Sequence, residues 1–258
     1  MSNEGRIGYD LRGRVAVVTM DRPERRNALT NALYEAFSAA LRQAYDDANV
    51  RAIVLRGEGG AFTAGNDIED FLAAPPAGTD SPVFRFLKTL MASPKPVIAA
   101  VDGPAVGIGA TMLLHCDLVY ATARASFQTP FINLGLCPEG GSSLLLTLLV
   151  GQRKATELLL LGERFDGETA LRIAYVNELC EPDALLPRAL ERAEVLASKA
   201  PASLRLTRAL VRGPWEALLE QVMLQESEDF RERVRSDEAK EAFSAFLQKR
   251  KPDFSSFS

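Results

Sequence analysis

One carboxylate frames the chemistry of this chain. Glu139 stands in GLCPEGGSS, residues 135–143, between a proline and a pair of glycines, and its nearest acidic neighbours in sequence are Asp117 and Glu157. Two readings of it are open on local sequence. It is an acid in the first turn of a helix SSLLLTLLV, favoured there by the helix dipole. Alternatively it is a carboxylate in an apolar pocket, where desolvation lifts its pKa towards the range of a general base against the pull of the helix end. Two glycine-containing turns offer groups of the opposite kind: FTAGNDIEDF (62–71) and GPAVGIGATMLLHCD (103–117). In the second, Gly107 and Gly109 fall where a turn enters a helix, and N–H groups at such a place suit an anion or a developing oxyanion. The same glycines also suit tight strand–helix packing.

Other chemistries fit less well. A P-loop needs Lys-Ser/Thr after its glycines, where this chain has Gly109-Ala110-Thr111, and a dinucleotide fingerprint needs a third glycine where Met112 stands. The single histidine, His115, rules out a His-rich metal site and reads as a helix-end packing residue. Cys116, Cys137 and Cys180 lack CxxC spacing, against a disulfide framework or zinc site and consistent with a reducing cytoplasm. With 30 Lys+Arg against 34 Asp+Glu, the chain has no basic field for nucleic acid or a membrane surface. The opening MSNEGRIGYD has no apolar signal core, and Asp102, Gly103 and Pro104 interrupt the most apolar stretch, Val97 to Leu114.

The elements that must position these residues alternate. Strands are predicted at Arg14–Met20, Ala52–Gly57, Val97–Val101 and Asp117–Thr122. A helix capped by Thr30 and running to about Asp47 carries Leu33, Phe37, Ala40, Leu41 and Ala44 on one face. This predicts an α/β core with buried strands. Ala73 to Pro82 reads as a Pro/Gly/Ser-rich loop. After Pro201 the texture turns helical, in SLRLTRALV, in WEALLEQVMLQESEDFRERV and in a last helix capped by Ser236. Trp215, Leu218, Leu219 and Val222 form one apolar stripe and Phe243, Phe246 and Leu247 another, for core packing or contact with another subunit.

Taken together, DRPERRNAL, FTAGNDIEDF, KPVIAAVDGPAVGIGATMLLHCDLVYATARASFQTPFINLGLCPEGGSS, GERFDGETALRIAYVNEL and FLQKRKPDF resemble the crotonase (enoyl-CoA hydratase/isomerase) superfamily, in the family's order and over nearly the whole chain. The resemblance implies an α/β spiral of ββα turns over residues 1–200 holding an acyl-CoA site, and a helical oligomerisation region over 201–258. It implies a homotrimer or dimer of trimers, an acyl-CoA thioester as substrate, and no cofactor beyond the coenzyme A of that substrate. The family's oxyanion-holding amides fall on Asn66 and Ile108. Ala64, Gly65, Asn66, Asp67 and Ile68 would line the adenine and pantetheine path, Lys249 would reach the CoA phosphates, and Phe131 and Leu136 would keep water out. The two hydratase glutamates fall on Thr111 and Phe131, so both are absent. Glu139 falls where the peroxisomal-type Δ3,Δ2-enoyl-CoA isomerases resembled here carry their base. The expectation is an isomerase with Glu139 as proton shuttle. Another reaction on a CoA thioester (dienoyl or ring isomerase, hydrolase, weak hydratase) and a non-catalytic acyl-CoA-binding protein are the alternatives.

Overall fold

The computed structural model describes residues 4–257. The chain order is β1 (Arg6–Arg12), β2 (Val15–Asp21), α1 (Asn31–Asp46), β3 (Ala52–Gly57), α2 (Ile68–Ala73), α3 (Pro82–Met91), β4 (Val97–Val101), β5 (Pro104–Val106), α4 (Ile108–Thr111), β6 (Leu118–Thr122) and β7 (Ser126–Gln128). It continues with α5 (Ser142–Val150), α6 (Gln152–Leu161), β8 (Phe165–Asp166), α7 (Gly167–Arg172), β9 (Glu178–Cys180), α8 (Pro182–Ala197), α9 (Pro201–Arg233) and α10 (Asp237–Leu247). The result is an α/β core followed by a helical C-terminal region.

The main sheet has the order β1-β2-β3-β4-β6-β9, parallel except for the β1–β2 pair. Its inner strands β2, β3, β4 and β6 are buried on both faces, as a parallel sheet requires. Ala16, Val18, Ile53, Leu55, Val97 and Ala99 face α1 and α3 in the main core. Their alternate neighbours Val15, Val17, Val54, Ile98 and Ala100 face Leu185, Ala189 and Ala193 of α8. A smaller sheet, β5-β7-β8, stands beside it.

The sequence-predicted strands recur within one residue at each end, and Thr30 caps α1 by accepting the Leu33 N–H at 3.3 Å. Three readings change. Arg6–Arg12 forms an edge strand that the reading of the sequence passed over. The two helical stretches after Pro201 join into one helix of 33 residues with Pro214 inside it. Proline removes the N–H that would reach the Leu210 carbonyl, but Leu210 is exposed, so water can satisfy that oxygen. Finally, the inward stripe of α9 is Leu219, Met223, Glu226 and Phe230, whereas Trp215 and Leu218 are exposed.

The N-terminal half of α9 is tied to the core through Asp117, which accepts from Arg208 at 2.7 Å and from Arg212 at 2.8 Å. No helix among the described residues is long and apolar enough to cross a membrane.

Candidate active site

Two loops are laced together beyond the C-terminal ends of the central strands β3 and β4. The Phe62 and Thr63 N–H groups donate to the Pro104 carbonyl at 3.1 and 3.0 Å, and the Val106 N–H donates to Thr63 at 3.0 Å. On the other side the Leu29 N–H reaches Gly65 O at 2.8 Å, and the Asp67 N–H reaches Leu29 O at 2.9 Å. Gly65 has φ +88°, and a Cβ there would stand 2.6 Å from the Val106 carbonyl, so only glycine permits this approach. Gly107 precedes α4 with φ 57° and ψ −121°, again a glycine conformation. Among the described residues, neither the Asn66 nor the Ile108 backbone N–H donates to a protein acceptor. Both residues line one cavity of about 360 Å³. Two undonated amides facing one cavity are rare in a folded interior and are the arrangement that stabilises an oxyanion.

Behind the first loop, Asp67 accepts from Arg22 at 2.7 Å, both side chains being less than a tenth exposed. Its other oxygen caps α2 by accepting from Glu69 and Asp70. Burial pushes the Asp67 carboxyl up, but Arg22 and the cap together hold it below its usual value. The pair fixes the loop and turns Asp67 away from the cavity.

Glu139 lies near Asn66 on the wall of a second, smaller chamber of about 40 Å³, shared with Leu87, Gly140, Met223 and Phe230. Asn66 and Phe230 also border the larger cavity. One carboxylate oxygen, Oε1, accepts from the Thr111 hydroxyl. Burial pushes the Glu139 carboxyl up to about 7, the charge of Glu226 adds to that, and the Thr111 bond opposes it. Burial thus moves Glu139 towards the range where a general base works best. It stands outside the helix that follows: Gly141 is the N-cap of α5, and the reading of Glu139 as a first-turn acid gives way.

Neutral donors stand behind the wall and hold Asn66 and Gly140, which line it. The Tyr34 hydroxyl donates to Asn66 Oδ1 at 2.5 Å, and its pKa is pushed far up by burial and by the charges of Glu139 and Asp70. The His115 ring lies 2.7 Å from the Gly140 carbonyl through Nε2. Burial pushes its pKa down to about 4, with Gly140 opposing and Arg212 adding. The ring is therefore neutral, and Nε2 must carry the proton it donates.

Most sequence-predicted residues meet here. Ala64, Gly65 and Ile68 line the larger cavity with Asn66 and Ile108, and Phe131 and Leu136 close its apolar side. Lys249 is exposed and lies outside the lining, whereas the neighbouring Arg250 borders it while pairing with Glu241 at 2.5 Å. Sequence reasoning missed Tyr34, Thr111 as partner of Glu139, and Glu226. Only the last had a signal: an acid at position 226 interrupts the apolar spacing 219, 223, 230.

Comparison with known proteins gives a consistent result. The family described as enoyl-CoA hydratase/isomerase matches residues 10–256. A short-chain-enoyl-CoA hydratase of Clostridium acetobutylicum is 34% identical over 246 residues, covering 93% of each chain. Enoyl-CoA delta isomerase 2 of Rattus norvegicus is also 34% identical over 246 residues, 93% of this chain and 62% of that protein. Among solved structures, an enoyl-CoA hydratase/isomerase from Pseudoalteromonas atlantica T6c superposes with a TM-score of 0.91 at 42% identity, covering 96% of this chain and 99% of that one.

Proposed function

The chain belongs to the enoyl-CoA hydratase/isomerase family, and within that family we propose that it is a Δ3,Δ2-enoyl-CoA isomerase. The observation that carries this is a single carboxylate, Glu139, placed beside the cavity that the two undonated amides line, where burial pushes its carboxyl up to about 7. Most of the named relatives are hydratases, and an isomerase matches at the same 34% identity, so the reading rests on the acids. The family's hydratase positions hold Thr111 and Phe131 here. Thr111 is buried and binds Glu139, and Phe131 is buried in an apolar cluster. A water held between two carboxylates has no counterpart in this arrangement.

The chemistry closes with one carboxylate. The thioester carbonyl of a 3-enoyl-CoA accepts from the Asn66 and Ile108 N–H groups. Glu139 takes a proton from C2, the electron pair moves into the carbonyl, and a dienolate forms with its charge on the oxygen those amides hold. Glu139, now a carboxylic acid, returns the proton to C4, the C3–C4 double bond becomes C2–C3, and Glu139 is again a carboxylate. Phe131 and Leu136 exclude water from the dienolate. No metal or redox group is required. Assembly as a trimer or dimer of trimers belongs to the same proposal, supported by the apolar Leu206, Leu210, Val211 and Trp215 exposed along α9.

The test follows conjugation of trans-3-hexenoyl-CoA by ultraviolet absorbance, with Glu139→Gln alongside. The wild type should form the 2-enoyl thioester, and the variant should be slower by about a thousandfold. Full activity in the variant would remove Glu139 from the mechanism. A folded wild type that binds acyl-CoA without conjugating it would remove the isomerase.

A further inference from the structure

Glu226 is a buried acid with no task in the proposed reaction. It lies on the inward face of α9 between Met223 and Phe230 and is 7% exposed. One oxygen, Oε2, accepts the Gly141 N–H at 2.6 Å. The other accepts both the Ser143 N–H at 3.0 Å and the Ser143 hydroxyl at 2.5 Å. These donors are the open end of α5, the partial positive charge of that helix. Glu139 is two residues upstream. Left free, that helix end would stabilise Glu139 as an anion and weaken it as a base.

The other elements packed around Glu139 bring no charge to its carboxylate. Tyr34 on α1 is a neutral phenol, Leu87 on α3 is apolar, Thr111 on α4 donates a hydroxyl, and His115 in the turn after α4 is neutral and holds the Gly140 carbonyl. Charged groups stand one layer out: Asp70 towards Tyr34, Arg212 towards His115, and Asp229 towards Glu226. Among the described residues Glu226 is the one charge that acts on Glu139 directly; burial pushes its own carboxyl up, and its bonds to Ser143 and Gly141 oppose that.

We propose that Glu226 is a positioning residue for Glu139: it occupies the positive end of α5 and holds the Gly140–Gly141 turn, so that the helix does not stabilise Glu139 as an anion. Ser143 thereby acquires a role as an anchor of that turn. This rests on Glu139 being the proton shuttle.

The experiment compares Glu226→Gln with the wild type by the pH profile of isomerase kcat/KM and by carbon-13 NMR titration of the glutamate carboxyls. Glutamine keeps the shape and one acceptor oxygen, removes the charge, and returns part of the helix end to Glu139. The acidic limb should fall by about one pH unit. The plateau at high pH should drop about threefold, because a base of lower pKa draws protons less well. A purely structural role would lower the rate at every pH and leave the limb in place, and a limb unmoved by the substitution overturns the proposal. Should the variant not fold, the wild-type titration decides: Glu226 must remain ionised while Glu139 takes up its proton, and the reverse order overturns the proposal. If the wild type lacked isomerase activity, the isomerase reading would fall, while the NMR titration would still judge Glu226.

Discussion

Glu139→Gln should make the protein more stable at alkaline pH, by an amount the site fixes. The folded protein holds the Glu139 proton up to about pH 7, whereas an ordinary glutamate releases it near 4.5. Between those values the native state binds more protons than the unfolded chain, so this group's contribution to stability falls as pH rises through the window. Above it, ionised Glu139 costs the fold roughly 3 kcal/mol relative to its protonated form. Glutamine is neutral at every pH and can still accept from Thr111 through its amide oxygen. The variant should therefore gain about 2–3 kcal/mol at pH 8, equivalent to about 5–10 °C in Tm for a chain of this size. Towards pH 5 the gain should shrink to under about 1 kcal/mol, and below about pH 4 it should vanish. Thermal or urea unfolding of both proteins at pH 5 and pH 8, at one protein concentration, measures it. A stability difference that is the same at both pH values, or a variant less stable at pH 8, would refute the desolvated carboxylate on which the mechanism depends.

Three further outcomes are expected. The wild-type kcat/KM for conjugation should rise about tenfold from pH 6 to pH 8 as Glu139 ionises; a flat profile over that range would point to an ordinary carboxylate. Gly65→Ala places a methyl group against the Val106 carbonyl at a φ of +88°. It should shift the Asn66 amide and lower kcat about a hundredfold, read in the same absorbance assay. Asp67→Asn removes the buried carboxylate opposite Arg22 and should cost about 3–5 kcal/mol in urea unfolding, whereas a loss under 1 kcal/mol would show that the pair does not hold the loop.

What the sequence disclosed follows from how local each signal is. The runs at 52–57 and 97–101 form strands because they are short, apolar and buried on both faces, and the α1 stripe was legible because its period and its Thr30 cap agree. β1 escaped because Arg6, Asp10 and Arg12 stand exposed along an edge strand paired to β2, with no buried apolar residue among them. Gly213-Pro214 read as a break because it lies in sequence where helices end, yet the exposed side of α9 tolerates it. At the site, Glu139 and the two glycine turns stood out by residue type. Tyr34, Thr111 and Glu226 did not, because their role depends on contacts spanning 28 to 85 positions.

The reach of α9 and α10 into the site has a consequence for biosynthesis. Phe230 stands between the two cavities, and Ala242, Phe243, Phe246 and Arg250 border the larger one. A ribosome that has made the first 200 residues has supplied both amide loops, Glu139, Phe131 and Leu136, but neither the Phe230, Phe243 and Phe246 part of the apolar wall nor the carboxylate that caps α5. The pocket is thus finished by the last segments to emerge. Until they dock, the nascent chain leaves the Phe71, Phe131 and Leu136 side of its cavity open to water.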